Sequence, residues 1–275
     1  MKHHFVTICK DMAILLPSVG EKLLTLRKNA KNDPDFVRLK ADKTLVTHGD
    51  TLSEDLIRAW IQEHFPDDTI RGEERMEKQG GLFQWIIDPS DGTYNFNHHS
   101  RMFSISVGLT EDNTPKMGVL LYPAENIVVS ATEGAGAEIN GQPIVLSKKK
   151  HKLDEAVIYR QPTNLSPEYF SQPRFTKTLK QQARILSPSP TIEGISASFT
   201  FAFLKFLQGN MDAILHPGAT PYDIGAICAI AKEIGFSFSG YDGEAIDFSK
   251  ETIPIVISKS AWLHAQIIQT LNSDN

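Results

Sequence analysis

The sequence predicts an α/β fold, in the mixed α+β sense, built as two fused halves. Three features predict it. Leu82 to Ile87 is a short apolar run with β-branched and aromatic residues, the pattern of a buried strand. Residues 103–131 hold three strand-like segments separated by turn residues, which reads as an antiparallel meander. Leu52, Leu56, Ile57, Trp60, Ile61 and Phe65 recur at helical spacing, as do Ile224, Ile227, Cys228, Ile230, Ala231 and Ile234. At 275 residues the chain can bury a substantial core. Its best internal boundary lies at residues 148–155, so the expected halves are 1–150 and 151–275.

Each element has a local reason. Residues 5 to about 30 place apolar side chains at helical spacing, in one or two helices with Pro17 at a start or kink. Leu45-Val46-Thr47 leads through His48-Gly49-Asp50 into a helix with Ser53 as its expected N-cap and Pro66 as its stop. Asp50 then sits just before that helix, where it can cap or act as a base. The strand over Leu82–Ile87 delivers Asp88 at its end, and Pro89 stops the ladder because it has no N–H to donate. Strands follow at Phe103–Leu109, Met117–Tyr122 and Ile127–Ala131, and Asn140-Gly141 is a hairpin signal. In the second half, Ala156–Tyr159 reads as a strand, Glu168–Gln182 as a helix and Ser196–Leu207 as a buried helix. Met211–Leu215 is a short strand, and residues 216–221 form a loop into the helix that closes at Gly235. Ile253–Ile257 is the last strand, and Ser260 caps a final helix through Leu271.

Composition excludes several classes. The 28 basic and 33 acidic residues give a formal charge of −5, with no basic excess for polymeric nucleic acid. Lys148-Lys149-Lys150 reads as a solvated run. Cys9 and Cys228 are the two cysteines, too few for a disulfide framework or a zinc site. No apolar run reaches membrane-spanning length, and residues 13–16 are too short for a secretory core. The expectation is a soluble cytoplasmic protein with no membrane partner.

The chemistry concentrates in Asp88-Pro89-Ser90-Asp91-Gly92-Thr93. Two carboxylates three residues apart at a sheet rim repel each other unless protons or cations intervene. Hard divalent cations such as Mg²⁺ take oxygen ligands of this kind. If a helix begins at Gly92-Thr93, its N–H groups can meet a phosphate. The same residues also make good turn chemistry, so the motif alone leaves both readings open. Gly72-Glu73-Glu74 precedes the strand that ends at Asp88, and Glu73 would supply a third carboxylate if it turned inward. Asp223 opens the late helix, where helix-dipole stabilisation is its alternative role. His98-His99 has no further ligands at metal spacing and reads as loop histidines.

These pieces in this order resemble the inositol monophosphatase family, whose wider group includes bisphosphate nucleotidases and fructose-1,6-bisphosphatases. The matching residues are Leu45-Val46-Thr47 with Asp50, Gly72-Glu73-Glu74, Trp85 through Phe96, Gly134–Ala137 with Asn140-Gly141, and Tyr222-Asp223. The resemblance implies a layered αβαβα sandwich of the sugar-phosphatase type and hydrolysis of a small phosphomonoester with two or three Mg²⁺ ions. By position it makes Glu73, Asp88, the Ser90 carbonyl, Asp91 and Asp223 metal ligands. It makes Gly92 and Thr93 the phosphate cradle, and gives Asp50 with Thr93 the task of orienting the attacking water. Most ligands then fall in 1–150, with Asp223 and the substrate-selecting loops from 151–275. Substrate contacts are implied for Ser196, Ala197 and His216. A homodimer is implied likewise.

The chain departs from that family where a substrate is chosen. His216 stands where inositol phosphatases usually carry a Glu, and Thr191, Ile192, Glu193 and Ile195 stand in the neighbourhood of an Arg often found before Ser196. Inositol-1-phosphate or a related polyol or sugar phosphate is the first expectation for substrate. A 3′(2′),5′-bisphosphate nucleotide and histidinol phosphate are the alternatives. Tyr94-Asn95-Phe96 is closer to the inositol phosphatase version of the motif than to the nucleotidase version. A regulatory or binding protein on the same fold is the reading from another class.

Overall fold

The computed structural model describes residues 4–30, 37–39, 45–75, 81–145, 152–160, 175–186, 191–193 and 198–273. Backbone contacts gather the chain into two units. The first takes in 1–144, 196–201 and 222–233, and the second takes in 145–195, 202–221 and 234–275. This differs from the expected pair of contiguous halves, because the segment carrying Asp223 clusters with the N-terminal residues.

The first unit begins with α1 (Phe5–Asn29), one helix that runs through Pro17 with the ring on its exposed side. A two-stranded ribbon, β1 (Val37–Leu39) and β2 (Leu45–Thr47), precedes α2 (His48–His64). The expected N-cap, Ser53, is instead buried inside α2. Thr47 caps it: its Oγ1 accepts from the N–H of Gly49 at 3.1 Å and of Asp50 at 3.4 Å, and Asp50 Oδ2 accepts the Thr47 N–H at 2.5 Å. This reciprocal capping box outcompetes the later serine by satisfying donors at both ends.

Seven strands make the sheet of this unit: β3 (Thr69–Gly72), β4 (Phe83–Asp91), β5 (Ser104–Glu111), β6 (Thr114–Tyr122), β7 (Ile127–Thr132), β8 (Gly136–Ile139) and β9 (Gln142–Pro143), in that spatial order. Only β3 and β4 pair in parallel; the rest is the meander that the alternation predicts. Asn140 and Gly141 both have positive φ, 49° and 73°, as the two-residue turn between β8 and β9 requires. Side chains alternate across the sheet. Ile105, Val107, Leu109, Met117, Val119 and Leu121 point to one face, where they share a core with Met12, Leu16, Val19 and Leu23 of α1 and Ile57 and Ile61 of α2. On the other face lies a helix introduced late in the chain, α6 (Pro221–Glu233). A Cβ on Gly118 would stand 2.4 Å from Ala226 O, and one on Gly108 2.7 Å from the Gly225 carbonyl carbon. Glycine at these two positions lets the helix backbone lie directly on the sheet.

The second unit has a five-stranded sheet in the order β11 (Thr191–Glu193), β10 (Ile158–Arg160), β12 (Ala213–Ala219), β14 (Ile253–Ser258), β13 (Ser237–Gly240). β10 runs parallel to both β11 and β12, and β14 is antiparallel to its neighbours. Between β10 and β12 the chain forms α4 (Thr176–Ala183), a 3₁₀ turn (Arg184–Leu186) and α5 (Phe199–Leu207); α7 (Ala261–Asn272) closes the unit. Leu263, Ile267 and Leu271 of α7 pack with Ile158, Ala213, Leu215 and Val256. Ser260 caps α7 as expected, its Oγ accepting from the Leu263 N–H at 3.3 Å. Residues 168–174 of the expected helix, the 148–150 lysine run and the site candidates Ser196 and Ala197 lie outside the described residues. Residues 216–219, expected in a loop, belong to β12, with a register shift between His216 and Ala219.

Candidate active site

Asp88 and Asp91 do not flank the end of β4 but lie within it. Asp88 pairs with Ser106 and Asp91 with Ser104, and the register shifts between them. Pro89 cannot donate to the ladder, so the strand bulges there and continues. The bulge turns both carboxylates to one place, and Ser90 N–H donates to Asp88 Oδ1 at 2.9 Å. Gly92 follows at φ 92°, in the left-handed region; a Cβ there would also lie 2.9 Å from that of Ser198. That residue launches the short helix α3 (Thr93–Asn97), whose first N–H groups have no acceptor within the helix.

Asp223 reaches the same place from the first turn of α6. One carboxylate oxygen from each of Asp88, Asp91 and Asp223 lies within 4.8 Å of the other two. Glu73, just after β3, is outside that trio but is the strongest charged influence on Asp88. Burial pushes the Asp88 carboxyl well above its ordinary range, and the charges of Glu73, Asp91 and Asp223 push it further. Burial also raises Asp91, against hydrogen bonds from Thr200 and Ser198. A buried cluster of like charges held up in this way fits a hard divalent cation, which would take the place of protons. Ser90 adds a carbonyl at the bulge, and its Oγ is buried with no hydrogen-bond partner among the described residues.

Asp50 and Thr93 form a second feature beside the cluster. Thr93 Oγ1 donates to Asp50 Oδ1 at 3.0 Å and lies 3.2 Å from the Ser90 carbonyl. Asp50 Oδ2 is fully engaged by Thr47, through the N–H and the hydroxyl, both at 2.5 Å. Burial raises the Asp50 carboxyl to about 6, partly offset by the Thr47 hydrogen bonds. Capping and site contact are therefore one arrangement, with one oxygen for each.

His216 is a correction. It sits buried on β12, where its Nδ1 accepts the Gly218 N–H at 3.1 Å, and burial lowers its pKa to about 3. It is a neutral ring engaged with the backbone of a strand, where a loop was expected. Residues that the sequence left unnoticed hold the site together. Asp91 Oδ2 accepts from Ser198 Oγ at 2.9 Å, from Thr200 N–H at 2.7 Å and from the Thr200 hydroxyl. Nothing local marks Thr200, 109 positions away, whereas Thr47-x-x-Asp50 carries the spacing of a capping box.

A buried carboxylate cluster at a strand bulge, next to the first N–H groups of a helix and a hydroxyl–carboxylate pair, suits a phosphoric monoester hydrolase. The chain belongs to the inositol monophosphatase family, whose model matches residues 10–274. It is similar to a Thermotoga maritima fructose-1,6-bisphosphatase/inositol-1-monophosphatase, 32% identical over 84% of this chain and 83% of that one. A histidinol-phosphatase of Chlorobaculum parvum is 29% identical over 75% of this chain and 79% of its own. Among solved structures, the Thermotoga maritima IMPase superposes with a TM-score of 0.77 at 29% identity, covering 96% of each chain.

Proposed function

We propose that this protein hydrolyses a small phosphomonoester, inositol-1-phosphate or a related polyol or sugar phosphate, with two or three Mg²⁺ ions as cofactor. The observation that carries the reading is the Asp88–Asp91–Asp223 cluster beside the Asp50–Thr93 pair. Glu73, Asp88, the Ser90 carbonyl, Asp91 and Asp223 would hold the ions. When bound, such ions neutralise phosphate charge and lower the pKa of water. The chain supplies the rest. Gly92 and Thr93 present N–H groups to the phosphate at the start of α3. Asp50 fixes the Thr93 hydroxyl, so that its oxygen lone pairs can accept a hydrogen bond from the attacking water. Asp50 can then take the proton passed through Thr93. Both cysteines are free and buried, which suits a reducing cytoplasmic setting, and the family likeness suggests a homodimer. No helix among the described residues is long and apolar enough to cross a membrane.

Histidinol phosphate is the second candidate. The Chlorobaculum parvum relative bears that activity in its name. The test is phosphate release from inositol-1-phosphate, histidinol phosphate, fructose-1,6-bisphosphate, glycerol-2-phosphate and 3′-phosphoadenosine-5′-phosphate, with and without Mg²⁺. The expected result is Mg²⁺-dependent release that favours a polyol or sugar phosphate. Preference for histidinol phosphate would select the second candidate, and no release from any compound by folded, Mg²⁺-binding protein would favour a regulatory role instead.

A further inference from the structure

Helix α2 carries more than Asp50. Its next two positions at four-residue spacing are Glu54 and Arg58, on the same face as Asp50. Both are buried, and Arg58 Nε donates to Glu54 Oε1 at 2.7 Å. Neither residue belongs to the carboxylate cluster. Removing such a pair from water costs about as much as its attraction returns, so it is weak evidence for a purely stabilising role. Its remaining contacts point to one loop. Glu54 Oε2 accepts the backbone N–H of Glu74 at 2.8 Å, and Arg58 Nη2 donates to the Arg75 carbonyl. A Cβ on Gly72 would stand 2.4 Å from Glu54 Oε1. Glycine at 72 is therefore what allows the carboxylate to lie against the backbone. The pair grips residues 72, 74 and 75, and Glu73 is the residue between them.

We propose that Glu54 and Arg58 are positioning residues that set where Glu73 stands relative to Asp88 and Asp91. Glu73 follows the last residue of β3, where its own N–H donates to Ile87 O at 3.1 Å. β3 ends at Gly72, and beyond it the Glu74 N–H and the Arg75 carbonyl are met by the side chains of Glu54 and Arg58. The Glu54–Arg58 pair replaces the ladder with a side-chain clamp. Because Asp50 lies one turn before Glu54 on the same rigid helix, α2 fixes the separation between the water-orienting carboxylate and Glu73. The inference rests on Glu73 being a metal ligand, as proposed above.

The test pairs two measurements on the full chain: Mg²⁺ affinity by calorimetry, and melting temperature in EDTA. Supporting residues around metal ligands commonly change affinity about 10–100-fold. The variant Glu54→Leu with Arg58→Met should melt in EDTA within a few degrees of wild type and bind Mg²⁺ at least about tenfold more weakly. Glu54→Gln has one carbonyl oxygen for two donors, the Glu74 N–H and Arg58 Nε, so it should also weaken Mg²⁺ binding. Wild-type Mg²⁺ affinity in the folded double variant would overturn the proposal. So would a double variant that is unfolded in EDTA, since the pair would then be a structural brace. Glu73→Gln separates the two readings: if it leaves Mg²⁺ affinity unchanged, Glu73 is not a ligand and the proposed metal assignment fails first.

Discussion

The two oxygens of Asp91 have different surroundings. Oδ2 carries three donors from Ser198 and Thr200, which exhausts its lone pairs and leaves Oδ1 for a cation. An amide at this position keeps the shape but loses the charge. Asp91→Asn should reduce phosphate release by about three orders of magnitude or more, in the range of a lost essential group. It should also abolish the rise in melting temperature that Mg²⁺ gives the wild type by binding only the folded state. In EDTA the variant should melt no lower than wild type, because burial and the Glu73 charge outweigh the hydrogen bonds that favour the Asp91 charge. A phosphate-release assay checks the first, and a calorimetric scan with and without Mg²⁺ checks the other two. A variant that keeps its Mg²⁺ shift would remove Asp91 from the ligand set.

Elements meet the site through glycine. α6 brings Asp223 to Asp88 and Asp91 only because it lies backbone-to-backbone on β5 and β6. Gly118→Ala would put a methyl group 2.4 Å from Ala226 O, against backbone that cannot swing aside as a side chain can. Overpacking of this kind typically costs 1–3 kcal/mol, and we expect a loss of about 2 kcal/mol or more in urea unfolding. Because the strain acts on α6, Mg²⁺ affinity should fall as well. A stability loss with unchanged Mg²⁺ affinity would mean that the helix yields without moving Asp223. The sequence showed α6 and both strands by their periodicity, but Gly108 and Gly118 looked like ordinary strand glycines. Their meaning depends on a helix more than 100 residues later, and no local pattern records that.

Across the whole molecule, acid should act in two opposite directions. His264 of α7 lies between Ser239 Oγ at 2.8 Å and Ser258 Oγ at 3.1 Å, and burial lowers its pKa from 6.5 to about 4. The unfolded chain binds this proton more readily than the folded one. The contribution of His264 is therefore complete above pH 6.5 and is lost as pH falls through about 4, a change on the order of 2–3 kcal/mol. The raised carboxyls of Asp50, Asp88 and Asp91 work the other way without metal, since the folded state holds their protons more tightly. The two effects are separated by difference. Urea unfolding of His264→Gln and wild type in EDTA should show a gap at pH 7 that closes by pH 4. A gap independent of pH would show that His264 titrates alike in both states.

Local pattern marked the strongly periodic strands and helices and the Asp88–Thr93 motif, and the family likeness gave Glu73, Asp223 and Asp50 their roles. These are short-range properties: alternation, turn chemistry and residue type at fixed spacing. Packing in three dimensions settled that Thr47 rather than Ser53 caps α2, that β4 bulges at Pro89 instead of ending, and that Asp223 clusters with the N-terminal unit. It also moved His216 out of the expected loop and buried it in β12. Each of these depends on which distant groups fill the space around a residue. Burial and hydrogen-bond partners across 100 positions set charge, register and orientation, and a local pattern is blind to them.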